Sequence, residues 1–141
     1  MEHDPDSKPL DNFPLSQDAK QLMEQFRRER ETKVLTLFFS DLVGSAELQF
    51  DFGNHLAAQI VQTHYRILRS ILAEVDGREI STSGDSMLVV FAAPADAVKF
   101  ALLSQRRMRE EQHKTPQLPS MRCGIHHGQV VLQKGEEAGS Q

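Results

Sequence analysis

Two acidic residues in this 141-residue chain stand where the local sequence gives them something to do. Asp41 closes an apolar, β-prone run from Val34 to Ser40 (VLTLFFS), and Asp85 follows Gly84 between two further β-prone runs. Carboxylates brought together repel unless a cation lies between them. A hard divalent ion such as Mg²⁺ takes one or two carboxylates together with phosphate oxygens. Beyond Asp41, the segment Leu42-Val43-Gly44-Ser45 leads into a helical pattern. Free N–H groups at a helix start receive phosphate, and a glycine there lets the backbone come close. Each aspartate also has an ordinary explanation, Asp85 as a turn residue and Asp41 as a helix N-cap. The metal reading depends on the two being brought together.

The surrounding elements predict that they are. Val34 to Ser40 reads as a central strand buried on both faces. A short amphipathic piece to Phe52 is broken at Gly53-Asn54. Leu56, Ile60, His64, Leu68, Ile71 and Val75 then recur at helical spacing, up to a stop at Asp76-Gly77. Arg78 to Ser83 and Met87 to Ala92 flank Gly84-Asp85 as a hairpin with a glycine-first turn. Pro94 opens a further helix, which decays into the charged run Arg106 to Lys114. After a loop over Thr115 to Ser120, Met121 to Leu132 is a last strand. Strand, helix, strand, strand, helix, strand is the α+β, ferredoxin-like βαββαβ core, an antiparallel sheet with helices on one face. There the first strand lies antiparallel beside the third, so the end of one meets the start of the other, and Asp41 meets Asp85.

Upstream, residues 1–15 read as a disordered arm. Residues 16–32 read as an N-terminal linker helix capped by Ser16, with Leu22, Met23 and Phe26 as a narrow apolar stripe in need of a partner surface. Residues 33–133 form the domain, and 134–141 a tail. The net charge of −4 argues against a nucleic-acid partner. No stretch approaches the roughly 18 apolar residues that cross a membrane. A single cysteine points to a reducing, cytoplasmic setting.

Four segments, in order, carry a family resemblance. Leu37-Phe38-Phe39-Ser40-Asp41-Leu42-Val43-Gly44-Ser45 and Ser83-Gly84-Asp85-Ser86-Met87-Leu88-Val89-Val90-Phe91 resemble the two metal motifs of class III adenylate and guanylate cyclases. Pro94-Ala95-Asp96-Ala97-Val98 is similar to the segment after the second motif, and Arg122 to Val131 to the next core strand. The resemblance implies two Mg²⁺ or Mn²⁺ ions held by Asp41, Asp85 and the Leu42 carbonyl, and a triphosphate on Val43, Gly44 and Ser45. It implies conversion of ATP or GTP to a 3′,5′-cyclic nucleotide and pyrophosphate, for intracellular signalling, in a homodimer or a heterodimer with another cyclase domain.

The same comparison marks departures. Ser81 stands where many members carry a purine-reading lysine, and Ala46 where a threonine is usual. The family's transition-state asparagine and arginine fall beyond the strand ending near Leu132, and Gln141 is reached without them. The expectation is a partial domain, incomplete as a lone chain, with a catalytically degenerate module for nucleotide binding or dimerisation as the alternative. His126 and His127 are neighbours on a strand and point to opposite faces. His55 and His64 read as surface or seam residues, Cys123 as a small core residue, and Phe38, Phe39 and Phe91 as core.

Overall fold

A computed structural model describes residues 13–29 and 34–130. Residues 1–12 of the expected arm over 1–15, the residues 30–33 that include the expected end of the linker helix, and 131–141, with the end of the last strand and the tail, lie outside the described residues.

Helix α1 (Gln17–Glu29) is followed by β1 (Val34–Leu42), α2 (Ser45–Leu72), β2 (Gly77–Ser83), β3 (Ser86–Phe91), α3 (Pro94–Lys114) and β4 (Met121–Gln129). The strands form one antiparallel sheet in the order β2-β3-β1-β4. This is the βαββαβ arrangement expected from the alternation of patterns. β1, apolar on both faces, occupies the interior, where both faces are covered.

α2 and α3 lie on one face. Phe38, Met87, Val89 and Phe91 of the sheet meet Ile60, Leu68 and Ile71 of α2 and Phe100 and Met108 of α3. The Phe100 ring sits edge-on to Phe38 with centroids 4.8 Å apart, and tilted to Phe91 at 5.5 Å. α2 is two helical segments, because Gly53 (φ 83°, ψ 167°) takes a non-helical conformation that a residue with a Cβ rarely adopts. Its periodic stripe is buried from Ile60 to Ile71 as the spacing requires; Leu56 is half-buried, and Val75 lies past the last helical residue and packs from the turn into β2.

α1 covers the opposite face. Ser16 caps it, its Oγ accepting from the Ala19 N–H at 3.1 Å. Ala19, Met23 and Phe26 pack on Leu35, Leu37, Ile80, Leu88 and Val90. The apolar stripe therefore finds its partner on the domain itself. Leu22, expected within the stripe, is 38% exposed, and Ala19 takes its place, one turn before Met23.

Among the described residues β4 is an edge strand, and all residues from Arg122 to His127 are exposed. Cys123 is therefore an exposed thiol rather than a core residue. It stands on the side of β4 that faces α3, where Gln105 Nε2 lies 3.8 Å from its Sγ.

Candidate metal and triphosphate site

The β1–β3 register runs from Thr36↔Phe91 to Ser40↔Met87, so the last residues of β1 reach the β2–β3 turn. There the Leu42 N–H donates to Asp85 Oδ2 at 3.0 Å. The carboxylate of Asp85 thus sits against the peptide that follows Asp41. A turn aspartate bonded only within its own turn would not make this contact, and Asp41 lies inside β1 rather than at a helix N-cap. The N-cap of α2 is Gly44.

Asp41 has a partner that reading along the chain did not pick out. Arg122 Nε and Nη2 donate to Asp41 Oδ1 and Oδ2, both at 2.9 Å, in a fork-to-fork pair. The pair arises because Arg122 is the cross-strand partner of Asp41 in the β1–β4 register. The register is the signal that identifies it, and it becomes available only when β1 and β4 are known to pair. The pair is open to water, with side chains 69% and 36% exposed. The Asp41 carboxylate holds Arg122 firmly in its charged form.

The turn into α2 offers donors for an anion. Gly44 is left-handed (φ 71°, ψ 28°), and no side chain caps the helix. The N–H groups of Glu47 and Leu48 both go to the Gly44 carbonyl. Val43, one of the three expected triphosphate contacts, already gives its N–H to the Ser120 carbonyl at 2.9 Å. Gly44 and Ser45 are left to approach a phosphate. Glu47 Oε2 lies 3.3 Å from where a Cβ on Gly44 would stand, so a carboxylate borders the same turn. A cleft of about 490 Å³ runs from Ser45 and Gln49 past Gly84 and Asp85 to Gln62.

Beneath the two aspartates lies a buried polar layer. His64, expected at a surface or seam, is fully buried. Its Nε2 lies 3.3 Å from Ser40 Oγ, and Ser40 is the residue before Asp41. Burial pushes the His64 imidazole down to about 4, against the opposing pull of the Asp85 and Asp41 carboxylates, so the ring is neutral at neutral pH. Its Nδ1 has no partner among the described residues. With the proton on Nε2 the ring would donate to Ser40 and leave Nδ1 an orphan acceptor, a lesser penalty than an orphan N–H. The next residue, Tyr65, donates its hydroxyl to the Gly84 carbonyl at 2.5 Å and lies 3.2 Å from that of Ser86. Burial and the nearby Asp85 carboxylate push the Tyr65 phenol up.

Ser81 is not brought into this group. It pairs with Leu88, which pairs with Phe39, which pairs with Gly124, so Ser81 shares the α1-side face with Asp41 but stands two strands away. Strand spacing alone makes that roughly 10 Å. His126 and His127 point to opposite faces, and His127 Nδ1 lies 2.7 Å from Thr36 Oγ1. Among the described residues no three His, Cys, Asp or Glu side chains cluster to hold a metal. The available donors are two carboxylates and a carbonyl, all hard oxygens. That set fits Mg²⁺ or Mn²⁺ arriving with phosphate ligands, not an ion caged by protein alone.

Residues 27–135 match the adenylate and guanylate cyclase catalytic domain family. The chain is 28% identical over 99 residues to the serine/threonine-protein kinase pkn2 of Myxococcus xanthus, covering 69% of this chain and 12% of that protein. It is 33% identical over 76 residues to the receptor-type adenylate cyclase GRESAG 4.3 of Trypanosoma brucei brucei, covering 54% of this chain and 6% of that protein. Among solved structures, the adenylyl cyclase CyaB from P. aeruginosa superposes with a TM-score of 0.59 at 23% identity, over 68% of this chain and 56% of that one. The guanylate cyclase domain of RhGC from Catenaria anguillulae, solved in complex with GTP, superposes with a TM-score of 0.64 at 22% identity, over 70% and 58%. These structural likenesses carry the fold. The chain thus spans a small part of its curated relatives and a little over half of the superposed cyclase chains. No helix among the described residues is long and apolar enough to cross a membrane.

Proposed function

The chain belongs to the adenylate and guanylate cyclase catalytic domain family, and on that premise we propose that it contributes the metal and triphosphate half of a purine nucleotide cyclase site. The observation that carries this reading is the 3.0 Å bond from the Leu42 N–H to Asp85, which joins the two aspartate-bearing segments. The substrate would be ATP or GTP, and the products a 3′,5′-cyclic nucleotide and pyrophosphate. Asp41, Asp85 and the Leu42 carbonyl would hold Mg²⁺ or Mn²⁺, two per site. Bound there, the metal supplies charge that acidifies the ribose 3′-hydroxyl and neutralises the phosphates. Gly44 and Ser45 present N–H groups to the triphosphate, with Val43 lining the same turn. Arg122, exposed and one side chain from Asp41, supplies a further cation on the phosphate side once Asp41 turns to the metal. Ser81, on the same side of the sheet two strands away, would be the base-reading position of a nucleotide shared with a second domain. A homodimer or a heterodimer would complete the site, in an intracellular setting that suits an exposed thiol.

A second reading is a nucleotide-binding or dimerising module without turnover. Ser81 and Ala46 favour it, since serine offers one short hydroxyl and alanine no polar contact at all. One experiment separates these readings. The protein is titrated with Mn²⁺ in the presence of a non-cyclisable triphosphate analogue and then assayed with ATP and GTP, with and without an added competent cyclase domain. The enzyme reading expects cyclic nucleotide in the paired assay and its loss, by at least a hundredfold, in Asp41→Asn. Metal-dependent binding without product selects the module. No metal-dependent binding in the wild type, or binding indifferent to Asp41→Asn and Asp85→Asn, overturns both.

A further inference from the structure

We propose that His64 and Tyr65 are a positioning pair for the two aspartates, acting through hydrogen bonds from below and touching neither metal nor nucleotide. The inference rests on the metal reading of Asp41 and Asp85 given above. The two residues are consecutive on α2, and consecutive helical side chains diverge by about 100°. From one turn of helix they therefore reach two different strands. His64 engages Ser40, beside Asp41 on β1. Tyr65 engages the carbonyls of Gly84 and Ser86, the residues on either side of Asp85. The Leu42 N–H to Asp85 bond closes the loop from above.

Packing alone does not explain the pair. A leucine in place of His64 would fill the core without leaving a buried nitrogen unpartnered, a penalty the fold accepts here. Nor does the β2–β3 turn need Tyr65 to close, since a two-residue hairpin is held by its own ladder. What both side chains have in common is the place they end, one residue from a carboxylate that must be held in a fixed direction. Groups that orient metal-binding carboxylates change metal affinity by about 10- to 100-fold when removed.

The test uses the full chain and two variants that delete only a hydroxyl, Tyr65→Phe and Ser40→Ala, with Asp85→Asn as reference. Two readouts are taken: Mn²⁺ affinity with a triphosphate analogue, by electron paramagnetic resonance, and the NMR shift and hydrogen exchange of the Leu42 amide without metal. Tyr65→Phe is expected to weaken Mn²⁺ about tenfold. It is also expected to shift the Leu42 amide upfield and speed its exchange, while amides deep in α3 such as Met108 stay in place. Ser40→Ala is expected to weaken Mn²⁺ to a similar degree. Wild-type Mn²⁺ affinity and an unmoved Leu42 amide in Tyr65→Phe overturn the positioning pair, and wild-type affinity in Ser40→Ala overturns its His64 half. Failure of the underlying reading looks different, because Mn²⁺ binding is then absent in the wild type or indifferent to Asp85→Asn.

Discussion

The two sides of the site are built on opposite principles. Above, Asp41 faces Arg122 across an open rim, where both side chains are wet and their pairing is a matter of cross-strand register. Below, Ser40, His64 and Tyr65 meet in a dry layer between sheet and helix, each polar group placed by packing. An exposed ion pair is worth about 0–1 kcal/mol and yields readily to another partner. A buried hydrogen-bonded layer cannot rearrange without leaving groups unpaired, which is far more costly. The rim is thus suited to exchange and the underside to holding direction; on the proposed function, Arg122 would give way to a metal at Asp41. α1 shows the same contrast at larger scale, because it adds a second apolar cover to the α1-side face without touching the helix-side layer under the aspartates.

The comparison breaks if rim and underside respond alike. The largest effect belongs to the core beneath. Phe100→Ala removes the ring that meets both Phe38 and Phe91 and should destabilise the fold by about 3–5 kcal/mol in denaturant unfolding. A smaller loss in stability would show the helix-side layer to be loosely packed. Next comes acid. His64 titrates near 6.5 unfolded and about 4 folded, so the unfolded chain binds the extra proton first. The stability its neutrality confers is complete above pH 6.5 and lost as pH falls towards 4, about 3 kcal/mol in all. Urea midpoints measured at intervals across that window check it, and a His64→Leu variant should lose this part of the pH dependence. The smallest effect belongs to the rim. Arg122→Ala should change folding stability by less than about 1 kcal/mol, while Mn²⁺ alone binds Asp41 more tightly because its competitor is gone. A large loss of stability in Arg122→Ala would erase the distinction between rim and underside.

Reading along the chain located much of this molecule. The order of elements, the hairpin at Gly84-Asp85, the Pro94 helix start and the meeting of β1 with β3 all follow from hydrophobic period and turn chemistry, which are local signals. His64 was legible only in part. Its helical spacing placed it on the buried stripe, but its residue type argued for a surface or seam, and type was outweighed because the stripe faces β1 at the one position where Ser40 offers a partner. Cys123 failed in the opposite direction. Small and apolar, it suits a core, yet on β4 it stays exposed, with the Gln105 side chain of α3 beside its sulfur rather than apolar cover.

The chain's own residues determine the sheet order, the α2 and α3 cover on one face and the nearness of Asp41 to Asp85, since each depends on patterns that repeat within a few positions. Tertiary structure alone decides that Arg122 neutralises Asp41, that Val43 spends its N–H on Ser120, and that Tyr65 reaches around Asp85. These contacts join residues between 19 and 81 positions apart through register and helix rotation. Such quantities are set by the packing of whole elements and leave no mark at any single position.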